Sequence, residues 1–120
     1  MGQIKILRKI YLPLVVGQSV ECIREDGAKI KTTPKNIDGI ICREKGLEIT
    51  FTTANSIYRG LVPMVSPLAE YVVGQELIPG RRVVNTSNEQ EIIEQIQEIR
   101  TDGVITKTKT GIYKGLVKLA

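Results

Sequence analysis

Ser87-Asn88-Glu89-Gln90-Glu91-Ile92-Ile93-Glu94-Gln95-Ile96-Gln97-Glu98-Ile99 is the segment on which the fold class turns. Ser87 suits a helix N-cap, and Gln90, three residues on, completes a capping box that satisfies orphan backbone N–H groups. Ile92, Ile93, Ile96 and Ile99 follow on one face at helical spacing. Glu89, Glu91, Glu94 and Glu98 cover the outside. Thr101-Asp102-Gly103 would stop the helix, because glycine tolerates the left-handed turn at a helix end. The spacing predicts one amphipathic helix over 88–99. The remainder of the chain reads as strands, so the expected class is α+β, mainly β.

Working outward, Val104 to Lys109 and Ile112 to Leu119 read as a closing hairpin across Thr110-Gly111. Upstream, Ser19 to Arg24 and Ala28 to Thr32 flank Glu25-Asp26-Gly27, a hairpin turn in which glycine supplies positive φ. Thr33-Pro34-Lys35-Asn36 has the form of a helix start, with Thr as cap and Pro first, cut short by Asp38-Gly39. Ile40 to Arg43 and Leu47 to Thr53 form a second hairpin across Glu44-Lys45-Gly46, and Ala54-Asn55-Ser56 leads into a strand over Ile57 to Val62. The abundance of Ile, Val and Thr agrees, since β-branched residues fit a pleated, half-buried surface.

That last strand has an echo. Ile57-Tyr58-Arg59-Gly60-Leu61-Val62 returns 55 positions later as Ile112-Tyr113-Lys114-Gly115-Leu116-Val117. Val15-Val16-Gly17-Gln18 returns 57 positions later as Val72-Val73-Gly74-Gln75, and Asp38-Gly39-Ile40-Ile41 resembles Asp102-Gly103-Val104-Ile105. Two related units, about 15–62 and 72–117, are expected within one domain spanning 1–120. Pro63-Met64-Val65-Ser66-Pro67 would connect them in extended form. Two units are too few for a solenoid, so a pair closing one pseudo-barrel with swapped or face-to-face strands is expected.

A chain of 120 residues can bury a core without metals or cross-links. Cys22 and Cys42 have no zinc spacing and read as buried thiols. Met1 to Val16 carries Lys5, Arg8 and Lys9 before a short apolar run, but Pro13 interrupts it and no small-residue cleavage site follows. It is too short to span a membrane. A cytoplasmic protein without a membrane association is expected. The absence of histidine removes Ser-His and Cys-His catalysis and most zinc sites, and no phosphate-cradling glycine loop is present. The acidic pairs sit in a turn and on a solvated face. The expectation is a non-enzyme without a cofactor.

The net charge is +4, with ten Lys/Arg against six Asp/Glu in residues 1–65 and seven against seven in 66–120. Such an excess can attract a phosphate backbone. Tyr58 and Arg59, with their counterparts Tyr113 and Lys114, could stack on bases and hold phosphates. Equally, the tyrosines could pack at a barrel rim while glycine permits a bend or bulge. Lys107, Lys109, Lys114 and Lys118 either guard a strand edge against further pairing or form a basic stripe. Arg81-Arg82, in a loop, could extend that surface, and Lys29, Lys31 and Lys35 make another basic face beside the first hairpin. Adjacent strand aromatics of the kind an RRM uses are missing.

Gly17-Gln18-Ser19-Val20 through Asp26-Gly27-Ala28-Lys29-Ile30 resembles the core hairpin of PUA-type RNA-binding domains, though Ile30-Lys31-Thr32 replaces that family's Ala-x-Gly. The whole chain also resembles the PrgU-type proteins of enterococcal conjugative plasmids. That likeness rests on size, on the basic start Ile4-Lys5-Ile6-Leu7-Arg8-Lys9 and on Tyr58-Arg59-Gly60-Leu61-Val62. It implies a PUA-like or SH3-like pseudo-barrel and an RNA-directed regulator restraining the production of plasmid-encoded surface adhesins. The expected partner is therefore RNA, with Tyr58, Arg59, Tyr113, Lys114, Lys107, Lys109, Arg81 and Arg82 as contacts. The alternatives are a protein-interaction module or homodimer, using the acidic face from Glu89 to Glu98, and a small-ligand binder using the barrel mouth.

Overall fold

The computed structural model describes residues 3–63, 76–84, 88–101, 103–114 and 118–119, with 113, 114, 118 and 119 described by backbone alone. The regular elements among them are strands: β1 Ile4–Ile10, β2 Leu14–Val15, β3 Val20–Arg24, β4 Lys29–Thr32, β5 Asn36–Arg43, β6 Gly46–Thr52, β7 Ile57–Pro63, β8 Glu76–Leu77, β9 Arg82–Val84, β10 Gln90–Arg100, β11 Gly103–Thr108, β12 Ile112–Lys114 and β13 Lys118–Leu119. They build one curled half-barrel sheet, ordered β12-β11-β10-β5-β6-β7-β1-β3-β4, with the short strands along its margins. The expected α+β class is therefore corrected to all-β among the described residues, and the helix over 88–99 is replaced by β10.

The reason lies in the bulges of β10. Opposite it, β11 keeps strict alternation and buries Val104, Thr106 and Thr108. These face Ile99, Ile96 and Ile93 respectively, with register shifts between Ile93 and Gln95 and between Ile96 and Glu98. Each bulge adds one residue to the two-residue repeat of a strand. Glu94 and Gln97 are the extra residues, so inward isoleucines recur every third position and imitate a helical stripe. Ile92, which a helix would have put on the buried face, is 50% exposed. The proposed cap Ser87 lies outside the described residues, as does Asp102.

The short helix at Thr33-Pro34 is also absent. The Pro34 carbonyl accepts a hydrogen bond from the Gly17 N–H at 2.8 Å, and the Lys35 N–H donates to the Thr52 carbonyl at 2.7 Å. With those groups engaged by distant segments, the chain stays extended into β5. Asp38 occupies a bulge in β5, its carboxylate accepting from Asn36 Nδ2 at 2.7 Å and Thr52 Oγ1 at 2.5 Å. The hairpins β3–β4 and β5–β6 form where the sequence placed them, the first turning at Gly27 with φ 88°.

Two three-stranded antiparallel meanders, β5–β6–β7 and β10–β11–β12, meet through their first strands at Ile37 and Ile96. Their registers correspond. Ile37 opposes Phe51, which opposes Tyr58; Ile96 opposes Thr106, which opposes Tyr113. A bulge follows Ile37 and Ile96 alike. Three residues beyond, Ile40 receives Leu77 of β8, and Ile99 receives Leu14 of β2. Each meander is thus edged by the short strand that precedes the other. Ile37, Ile40, Leu77, Ile96, Ile99 and Leu14 are essentially inaccessible at the seam, as are Phe51 and Thr106, and burying each isoleucine or leucine contributes about 1.5–3 kcal/mol. Gly39-Ile40-Ile41 lie in β5 whereas Gly103-Val104-Ile105 open β11, so that sequence match joins non-equivalent strands. Residues 64–67, 72–75 and 115–117 of the other matches and connector lie outside the described residues.

β1 joins the first meander in parallel, Ile4 to Leu7 running beside Ile57 to Gly60 of β7. Its second half pairs with β3, which carries β4 at the sheet's end. Among the described residues no helix is long and apolar enough to cross a membrane.

Candidate nucleic-acid interface

β1 supplies one wall of the candidate groove. Leu7 and Ile10 point into the core, with a register shift against β3 between Leu7 and Lys9. Pairing with β3 begins only at Leu7, so on the side away from β7 no described strand pairs with Ile4, Lys5 or Ile6. An open groove of about 820 Å³ occupies that notch, bounded by the β3–β4 turn at Arg24, Glu25 and Asp26, by Ile30, and by Asn55 and Ser56 before β7.

Tyr58 lines the groove and packs against the core. Its ring stacks on buried Phe51 with centroids 5.5 Å apart and planes at 29°. The parallel register sets Lys5 beside it, with Nζ 5.9 Å from the ring centroid and donating to Ser56 Oγ at 3.1 Å. A cation over an exposed aromatic face contributes about 0.5–1 kcal/mol. At the rim, Arg24 and Asp26 form an exposed ion pair at 2.7 Å. The Ala28 N–H, donating to Asp26 Oδ1 at 3.0 Å, and the Arg24 guanidinium hold that carboxyl below its ordinary range.

The net charge of the chain lies in the segment that supplies β1, β3 and β4, although the groove's own charged lining, Lys5 and Arg24 against Glu25 and Asp26, is balanced. Residues 1–35 hold seven Lys/Arg against three Asp/Glu, an excess of +4; residues 36–120 hold the other ten against ten, a balance of zero. Lys9, Ile23 and Lys29 form one row across β1, β3 and β4. Lys31 follows on β4 opposite Glu21, and Lys9 Nζ lies 4.6 Å from the ring centroid of exposed Tyr11.

The residues singled out from the sequence do not form one surface. Tyr58 lines the groove, but alternation puts Arg59 on the opposite face of β7. There its Nε donates to Thr50 Oγ1 at 3.1 Å and lies 3.6 Å from Glu48 Oε1. Glu48 also pairs with Arg43 at 3.3 Å. Lys107 is exposed on β11 and Lys109 in the turn that follows. That turn is pinned by the Glu91 carboxylate, which accepts from Thr108 Oγ1 at 2.9 Å and Thr110 Oγ1 at 2.5 Å. Arg81 and Arg82 are exposed at the start of β9, Arg82 reaching Gln90 Oε1 at 3.5 Å. Both groups border β10, away from the groove by strand order. The side chains of Tyr113 and Lys114 lie outside the described residues. Sequence reasoning missed Lys5, Asn55 and Ser56; the basic excess of the first 35 residues points toward Lys5, and no local signal marks Asn55 or Ser56.

The two thiols are buried in β3 and β5. Burial pushes Cys22 up to about 11 and raises Cys42 as well, so neither is a nucleophile at neutral pH. Among the described residues no cluster of acidic and cysteine side chains could hold a metal ion. Comparison of the chain with protein-family models, curated proteins and solved structures gives no match.

Proposed function

We propose that the protein is a non-enzymatic, single-stranded-RNA-binding regulator whose contact surface is the corner formed by β1, β3 and β4. The observation that supports this reading is the location of the charge: the net excess falls within residues 1–35, and Lys9, Lys29 and Lys31 stand together on the solvent face of β1 and β4, next to the strand edge where Tyr58 and Lys5 line the groove. A modest total charge suffices when it is gathered on one face, because phosphate contacts act locally and release counterions. An aromatic ring in an open groove suits unpaired bases, which have a free π-face. Arg59, engaged by Glu48 and Thr50, has less to offer a phosphate than the lysines of β4.

Gel-shift titration against a single-stranded RNA pool tests the reading. Binding is expected to weaken with salt. Lys29→Gln combined with Lys31→Gln is expected to lower affinity across all sequences and to reduce the salt slope by about 1.4, roughly 0.7 per lost contact on a single strand. Lys107→Gln with Lys109→Gln should leave both nearly unchanged. No shift with any RNA at low salt, or an equal loss from the second pair, would overturn the reading. Ile4 and Ile6, 40% and 45% exposed beside an edge with which no described strand pairs, favour a second reading, a homodimer made by strand addition. A dimeric mass in light scattering without any RNA shift would select it.

A further inference from the structure

We infer that the groove beside β1 is a pocket for one unpaired nucleobase, in which Tyr58 is the stacking platform and Lys5 a displaceable cover that turns to the flanking phosphate. The inference rests on the RNA-binding reading and adds to it a defined base site.

The platform is rigid before any ligand arrives. Phe51 is fully buried and stacks on the Tyr58 ring, and β7 is held by β6 on one side and β1 on the other. A base that stacks there orders no new protein side chain, which lowers the cost of binding. The cover, by contrast, is loosely held. Lys5 is exposed, and its ammonium has one hydrogen bond to Ser56 Oγ and the ring beneath it. A base is a larger partner for the ring face, and the displaced ammonium gains a phosphate instead of a hydroxyl.

The remaining lining fits the same ligand. Ile4, Ile6 and Ile30 supply apolar walls, while Asn55 offers an amide with both donors and an acceptor for the edge of a base. The groove, at about 820 Å³, holds more than one base, which leaves room for the attached sugar and phosphate. Glu25 and Asp26 stand on the opposite rim and repel phosphate. The strand is therefore directed over Lys5 and away from the turn.

The test uses the full chain and single-stranded oligonucleotides carrying one 2-aminopurine, whose fluorescence falls when it stacks. Wild type is expected to quench it, in RNA and DNA versions alike if base and phosphate are the recognised groups; quenching in RNA alone would add a contact to the 2′-hydroxyl and still support the pocket. Tyr58→Leu should abolish quenching and weaken binding about 10- to 100-fold, while Tyr58→Phe retains both. Lys5→Gln should keep the quenching and lower the salt slope by about 0.7. Salt-dependent RNA binding by wild type without quenching at any position would overturn the pocket and leave the RNA reading standing. No binding of any oligonucleotide would overturn both. The wild-type quench decides the matter even if Tyr58→Leu fails to fold.

Discussion

Gly60→Val is expected to destabilise the protein by about 3 kcal/mol and to loosen β1 from the sheet. Gly60 is buried in β7, between Ile49 of β6 and Leu7 of β1. A Cβ at this position would come within 2.8 Å of Ile10 Cδ1, 3.0 Å of Ile10 Cγ1 and 3.2 Å of Leu7 Cβ. The Ile10 atoms belong to a side chain that can turn, but the Leu7 Cβ is fixed to the strand. Alanine therefore costs less, about 1 kcal/mol net, because it also restricts the unfolded chain. Valine adds two methyl groups against the same contacts. Register through β7 is continuous at this residue, so the glycine serves close approach of β1 and not the bend or bulge that the sequence suggested. Urea denaturation measures the stability loss, and amide hydrogen exchange of Ile4 to Ile10 reports the loosening. A Gly60→Val protein as stable as Gly60→Ala would refute this packing.

Phe51→Ala should cost still more, about 3–5 kcal/mol, from lost burial and the cavity left behind. Phe51 is fully buried and opposes both Ile37 and Tyr58. Against a total of about 5–15 kcal/mol for a domain, the variant would be marginal. The residue also supports the Tyr58 ring from below, so oligonucleotide quenching should fall even in the folded fraction. Ile92→Ala provides the contrast. On a helix Ile92 would have joined the buried face; on β10 it is half exposed and should change stability by less than about 0.5 kcal/mol. The same urea titration reads both variants, and a large Ile92 effect with a small Phe51 effect would contradict the strand assignment.

These contrasts show which features were legible in the sequence. The hairpin at Asp26-Gly27 was readable because its turn chemistry is local and both strands alternate. The second hairpin was readable for the same reason, although β5 starts earlier, at Asn36, because the helix expected from Thr33-Pro34 does not form. β10 was misread because two bulges converted alternation into a period of three, which a count of isoleucine spacing cannot separate from a helix. The bulge of β1, between Leu7 and Lys9, likewise spaces Leu7 and Ile10 by three.

The candidate site was legible only in part. Tyr58 was singled out together with Arg59, which alternation along β7 sets on the other face, against Thr50 and Glu48. The partner that completes the aromatic site, Lys5, comes from 53 positions earlier through a parallel pairing, which no local pattern encodes. Glu48, which engages Arg59, arrives from the neighbouring strand of the meander. The basic excess was visible as a count over residues 1–65, but the row that brings Lys9 and Lys29 together depends on β1 pairing with β3.

Amide hydrogen exchange of the full chain, with and without saturating single-stranded RNA, tests the central claim most directly. The expected result is new protection confined to residues 4–10, 22–31 and 55–58, with 105–112 unchanged. Protection around Lys107 and Lys109 with none along β1 and the β3–β4 turn would contradict it.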